Sequence, residues 1–329
     1  MNLENVGISY NASYLLQGNQ IERCKKSIDL NAKVTELLLR TDKKDCDIDN
    51  IKKVYKGKVL FHVPAINPDL ANLKSVNELV RTLSENGIKM ITINASNLSL
   101  DLFEWSTLEE QKKYFLNIVT AIATLASNKI EVAIDNLKHN ESNTMFGSDI
   151  AQVTDIIVYS RKMLVKDFGF KEDVAEKYIG LSLNIDNIDV SSDKENLNNW
   201  NKAYEIAQNI KFTAWSRKKV ESEIKEEAKN VRISNLDNEK NIKLITDMCK
   251  RNNYIVLLKT ESDIDEVDEQ FVLLLNLMGV DINVIKESSI KTKIKDNSKN
   301  NKKITNMIIA LMIITTIIIL CMMFLLELR

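Results

Sequence analysis

The chain has 329 residues, 44% of them hydrophobic and 28% charged, which suits one large core or two modest ones and excludes a disordered polypeptide. Its formal net charge is −1, with lysines and acids spread along its length, so no global basic field exists to hold a polyanion, and nucleic acid is not an expected partner. The four cysteines, Cys24, Cys46, Cys249 and Cys321, are far apart and form no C-x-x-C pair, which argues against a disulfide framework or zinc knuckle and fits a reducing compartment.

The opening stretch, "MNLENVGISYNASYLL", lacks a basic segment followed by an apolar one and does not read as a signal peptide. From there, short β-rich runs alternate with longer amphipathic ones. The strand candidates are "GISY" (7–10), "VTELLL" (34–39), "VLFHV" (59–63), "MITIN" (90–94), "EVAID" (131–135), "IGLSLNI" (179–185), "IKFTA" (210–214) and "YIVLL" (254–258). Between them lie helical patterns. "SVNELVRTLSENG" places Val76, Leu79, Val80 and Leu83 on one face, with Gly87 as its stop. "TLEEQKKYFLNIVTAIATLAS", "DIAQVTDIIVYSRKMLV" and "NEKNIKLITDMCKRNN" are others. Eight strands alternating with helices over residues 1–280 predict a (β/α)₈ TIM barrel; a doubly wound open sheet is the competitor. The eight glycines are scattered singly and form neither G-x-G-x-x-G nor a Walker loop, which disfavours dinucleotide and P-loop nucleotide binding.

Periodicity fades in "DINVIKESSIKTKIKDNSKNNKK", so residues 281–303 read as a Lys- and Asn-rich juxtamembrane linker. Residues 304–326, "ITNMIIALMIITTIIILCMMFLL", carry no charge, and a helix of that length at about 1.5 Å per residue covers a hydrocarbon core of about 30 Å. A single C-terminal transmembrane helix is expected. Lys286, Lys291, Lys293, Lys295, Lys299, Lys302 and Lys303 precede it, whereas Arg329 is the only basic residue beyond it, so the barrel is expected in the cytoplasm, anchored to the bilayer.

In such barrels chemistry gathers at the carboxyl ends of the strands. There the strand order, spacing and short motifs resemble the xylose-isomerase-like superfamily, which groups sugar isomerases and epimerases with apurinic-site endonucleases. The resemblance covers residues 1–280. Its third-strand His-x-x-Tyr-like motif is similar to "FHVPAIN", which supplies His62, Ile66 and Asn67. Its fourth-strand His is replaced by Asn94 in "ITINAS", and its fifth-strand Glu-Asn is similar to Asp135 and Asn136 in "VAIDN". The sixth-strand Asp-x-x-His falls on Asn184 and Asn187, with Asp186 off register, and the seventh-strand His-x-x-Asp on Thr213 and Ser216. Lys259 stands where the eighth strand closes with Glu, with Glu261 two residues on.

The resemblance implies a divalent metal, but of the matched positions only His62 and Asp135 are good ligands. Lys259 is expected to repel the ion, to pair with Asp135 and to stand in for the lost charge. No cofactor is therefore expected, and the residues expected to act are His62, Asp135 and Lys259. Asn94, Asn184, Trp215, Arg217 and Lys218 are expected to line a ligand site, the basic pair through the phosphate-receiving loops of such barrels, although with Lys219 it reads first as the charged opening of a surface helix. Trp105 and Trp215 are expected to pack as core or lid, and His139 to lie in an exposed loop. The function that follows is a membrane-anchored binding or scaffold protein with a degenerate metal site. The alternative is an active sugar or sugar-phosphate isomerase or epimerase using His62 and Asp135 as acid and base, with Lys259 stabilising an enediolate-like oxygen. Apurinic-site cleavage is the weakest reading.

Overall fold

Runs rich in Val, Ile and Leu become parallel strands because both of their faces can be buried, one in a barrel interior and one under helices. In the computed structural model they form β1 (Val6–Ser9), β2 (Val34–Leu38), β3 (Lys58–Val63), β4 (Met90–Asn94), β5 (Glu131–Asp135), β6 (Ile179–Asn184), β7 (Ala207–Ala214) and β8 (Ile255–Thr260). The strands pair in chain order and β8 closes on β1, giving the parallel eight-stranded barrel that the alternation predicts. The structure describes residues 3–10, 20–39, 48–63, 66, 74–137, 144–184, 203, 205–214, 254–260 and 267–278, all within the compact unit Met1–Val280. The helical pattern at 238–253 and the whole stretch 281–329, apolar run included, lie outside the described residues. Among the described residues no helix is long and apolar enough to cross a membrane.

Among the described residues the helices are α1 (Gln20–Asp29), α2 (Ile48–Val54), α3 (Lys74–Glu85), α4 (Leu100–Trp105), α5 (Leu108–Ser127), α6 (Ile150–Lys166), α7 (Glu172–Tyr178) and α8 (Val267–Leu277). α3 buries Val76 and Leu83 and stops before Gly87, whose φ of 61° lies where a side chain would be strained. α5 starts from a capping box in which the Glu110 backbone N–H donates to the Thr107 hydroxyl and the Thr107 N–H to the Glu110 carboxylate. α5 buries Ile118, Ile122 and Leu125, and α6 buries Val153, Ile156, Ile157 and Leu164, the helical stripe that covers a barrel. The short α4 buries nothing. Trp105 at its end is 84% exposed, so the packing expected for this ring is not found.

Outward-facing Ile8, Leu37, Phe61, Ile91, Ile93, Ile134, Leu181, Leu183 and Leu258 form the layer between strands and helices. Inside, Val34, Leu60, Ile255 and Leu257 make an apolar floor with Met90 packed against it. One irregularity controls the rest of the interior. Leu181 pairs with Ala207 but Ser182 pairs with Asn209, so Gln208 is an extra residue in β7. Side chains alternate between faces, so this one-residue slip turns Asn209 and Lys211 into the barrel in phase with Ser182 and Asn184. Regular pairing would have sent Lys211 out among the helices.

Candidate functional site

Inward residues of a (β/α)₈ barrel stack in layers of four, contributed by alternate strands. The strand register places Ser9, His62, Asp135 and Lys211, from β1, β3, β5 and β7, in one layer. Glu36, Thr92, Ser182 and Leu257, from the even strands, fill the layer beneath. Leu38, Asn94, Asn184 and Lys259 form the layer above, towards the carboxyl ends. Polar side chains therefore occupy the barrel from its middle to its mouth, over an apolar floor.

Their contacts form one network. The Lys211 ammonium donates to both oxygens of Asp135, at 2.9 Å each, and lies 3.0 Å from Glu36 Oε1. The hydroxyls of Ser9 and Thr92 donate to the two oxygens of Glu36. Thr92 has spent its only proton there, so its oxygen accepts from His62 Nδ1 at 3.1 Å. The network thereby assigns the proton of a neutral His62 ring to Nδ1, which also lies 3.6 Å from Asp135 Oδ2. The Ser182 hydroxyl stands close enough to help hold the Asp135 carboxylate ionised, yet outside hydrogen-bonding geometry. Lys211, Glu36, Ser9 and Thr92 have no exposed surface.

Burial sets the electrostatics, and the partners correct it. Burial alone would strip the proton from Lys211, but the charges and hydrogen bonds of Asp135 and Glu36 outweigh it and hold the ammonium above the ordinary lysine range. Burial alone would protonate Asp135. Lys211, then His62, reverses this and keeps its carboxyl below the ordinary range. For His62, burial wins: the Asp135 charge opposes it, Lys211 and Lys259 reinforce it, and the ring stays neutral well below its ordinary value of 6.5.

His62, Asp135, Asn94, Asn184 and Lys259 do converge on the upper barrel, as the strand-end motifs predict. The role given to Lys259 is corrected. The partner of Asp135 is Lys211, because a side chain in the same layer reaches the carboxylate while Lys259 stands one layer up and half-buried. Asn136 is a brace: its amide donates to the Asn184 carbonyl at 3.0 Å and its carbonyl accepts from the Asn184 N–H at 2.7 Å, tying the ends of β5 and β6 together. Asn67, His139, Asn187, Trp215, Ser216, Arg217, Lys218, Lys219 and Glu261 lie outside the described residues. Sequence reasoning alone misses Glu36 and Lys211. Each is the lone charged residue of its strand.

The resemblance implies a divalent ion, and the donors present do not fit one. The two nearest carboxylates already grip an ammonium, and His62 Nδ1 is a donor to Thr92. Among the described residues no group of three or more His, Cys, Asp or Glu side chains is placed to hold a metal. The network also predicts a mutant. Thr92→Val removes the hydroxyl that bridges Glu36 and His62, so urea denaturation should show a loss of about 1–3 kcal/mol. A loss within the scatter of a surface substitution would mean that the bridge is not formed in solution.

Solved structures share this fold over most of the chain. That of L-ribulose 3-epimerase superimposes with a TM-score of 0.51 at 12% identity, covering 89% of this chain and 97% of that one. The probable 3-DHS dehydratase AsbF, involved in petrobactin synthesis, from Bacillus anthracis gives 0.54 at 10% identity, over 82% and 98%. A D-tagatose 3-epimerase-like protein gives 0.53 at 13% identity, over 85% and 99%. At identities this low the likeness shows a shared (β/α)₈ TIM-barrel fold and nothing further. No protein-family profile and no curated protein matches the sequence.

Proposed function

We propose that this is a membrane-anchored xylose-isomerase-like barrel that binds a small polar ligand at its carboxyl-end mouth, with Lys211 as a built-in cation in place of a divalent ion. The observation that carries this reading is the Lys211 ammonium gripped by Asp135 and Glu36 at the barrel centre. Above it, Asn94, Asn184 and Lys259 offer polar groups to a ligand, a sugar or sugar phosphate being the class that the epimerase names of two neighbours support. The anchor is the uncharged run 304–326, and the lysines before it support a cytoplasmic barrel.

One observation favours catalysis as a second reading. A neutral His62 with its proton pinned on Nδ1 carries its lone pair on Nε2, the form a general base requires. Asp135 is unsuited to the acid role, since Lys211 keeps it ionised. In an isomerase or epimerase His62 would move the proton and Lys259 would stabilise the developing oxyanion. Apurinic-site cleavage gains no support, as the chain has neither a basic face nor a metal cluster among the described residues.

The test is a thermal-shift screen of the full chain in detergent, with EDTA, against ketoses and their phosphates, repeated on His62→Ala and Lys259→Ala. A shift that survives chelation and disappears in the variants supports the mouth site. Deuterium uptake from heavy water at the carbon next to the ligand carbonyl moves the conclusion to the enzyme reading. Stoichiometric manganese or zinc in the purified protein would sink both.

A further inference from the structure

Helix α4 lies on the carboxyl-end rim of the barrel, beyond the ends of β4 and β5. The Leu100 N–H donates to the Thr144 carbonyl at 2.7 Å, Ser99 bridges Met145, and the Phe103 ring rests on buried Phe146 with centroids 4.4 Å apart. Gln111 ties the end of α4 to the first turn of α5, its amide donating to the carbonyls of Phe103 at 2.9 Å and Ser106 at 3.2 Å. The corner between the two helices is therefore fixed, yet it carries Leu102, Trp105 and Leu108, which are 50%, 84% and 67% exposed. Lone apolar side chains on a surface are ordinary, but three on one fastened corner, one of them a nearly bare indole, mark a contact surface.

Charge and reach decide what covers it. Asp101, Glu104, Glu109 and Glu110, all exposed, flank the three side chains along the chain, against Lys112 and Lys113. A second copy of the chain meeting this corner about a two-fold axis would set like charges against each other. A zwitterionic lipid surface carries no such penalty. It takes leucines into its acyl margin and holds an indole at headgroup level, where a ring with an apolar body and a polar N–H is well placed. Residues 281–303 separate the compact unit Met1–Val280 from the uncharged run 304–326 and, at up to about 3.3 Å each, can span roughly 70 Å, more than the roughly 30 Å length of a 20-residue helix such as α5. An anchored barrel can thus turn its rim to the bilayer, and the tether keeps that rim at a high effective concentration of lipid. We propose that Leu102, Trp105 and Leu108 are a second membrane contact, seated in a zwitterionic lipid interface, which holds the carboxyl-end rim of the barrel against the headgroups. The inference rests on the anchored reading above.

The experiment places the full chain, with Trp200→Phe and Trp215→Phe so that Trp105 is its one remaining indole, in nanodiscs of phosphatidylcholine, whose headgroup has no net charge for the acids to repel. Co-elution of the chain with the discs reads the anchor. Bromination of the upper acyl chain then reads Trp105: its emission should fall about twofold or more against unbrominated discs, as for a ring held about 5–10 Å into the headgroup–acyl boundary, and aqueous acrylamide should quench it far less than in the unfolded chain. Leu102→Ser with Leu108→Ser should remove the bromine effect and restore acrylamide access with no change in melting temperature, because neither leucine is buried. Should the tryptophan substitutions prevent folding, the same signals are read as the difference between wild type and Trp105→Phe. An indole open to acrylamide and indifferent to bromine, in a chain that co-elutes with the discs, overturns the inference and leaves the anchor standing. So does an indole shielded from acrylamide without bromine quenching, which assigns the corner to a protein partner. A chain that does not co-elute removes the anchored reading, and this inference with it.

Discussion

Lys211→Met should destabilise the barrel by about 3–5 kcal/mol, a large share of the roughly 5–15 kcal/mol that holds a domain folded. The side chain is fully buried and touches two carboxylates, so removing it leaves two negative charges facing each other where water cannot reach. The variant should regain stability as the pH falls and one of them takes up a proton. Neutralising all three groups, in Glu36→Gln with Asp135→Asn and Lys211→Met, should recover more than half of the loss. The amide oxygen that replaces the Glu36 carboxylate would still accept from the Ser9 or Thr92 hydroxyl, and replacing a whole buried ion cluster is far cheaper than breaking it. Urea denaturation of the three proteins decides the matter. A Lys211→Met variant within about 1 kcal/mol of wild type would show that the cluster is not the buried ion network described above.

The second large effect is on pH. His62 is held below its ordinary 6.5, so the unfolded chain binds the extra proton first, and the stability from its neutral burial is complete above pH 6.5 and lost as the pH falls through the folded value. Asp135 is held below its ordinary 3.8, so its contribution is present above that pH and disappears at more acid pH. Lys211 is held above its ordinary 10.5, so its contribution is present below that pH and is lost as the solution becomes more alkaline still. On the acid side stability should therefore fall first below about pH 6.5, with a slope of at most about 1.4 kcal/mol per pH unit from the single histidine, and fall again below about pH 4. His62→Gln should erase the first acid step and leave the second. Denaturation midpoints across about pH 3 to 8 for the two proteins check this, and an unchanged profile in the variant would place the titrating group elsewhere.

The site is half legible in the chain. His62, Asn94, Asp135, Asn184 and Lys259 can be found because each closes a recognisable strand, and strand ends are where a barrel exposes its interior. Glu36 and Lys211 sit within strands, and a charge inside an apolar run is ordinarily read as lying on a solvated face. Lys211 also belongs to a strand whose apolar pattern begins only at 210 although its pairing begins at Ala207, which hides the extra residue that turns it inward. The pairing of Asp135 with Lys259 fails for a geometric reason. Both are at strand ends, but they belong to different layers, and a lysine from the same layer reaches the carboxylate first.

Strand and helix order, the placing of one imidazole and one acid at strand ends, and the uncharged run at 304–326 were set by the sequence read on its own, because hydrophobic period and composition are local properties. Closure of the eight strands, against the open sheet that the same alternation allows, came from the pairing of β8 with β1. Which lysine neutralises which acid was decided only by tertiary structure. Asp135 and Lys211 are 76 residues apart, and their contact depends on a one-residue slip between two strands, which no local pattern records. A slip of one position exchanges the inside of a barrel for its outside, and with it a buried ion cluster for a surface charge.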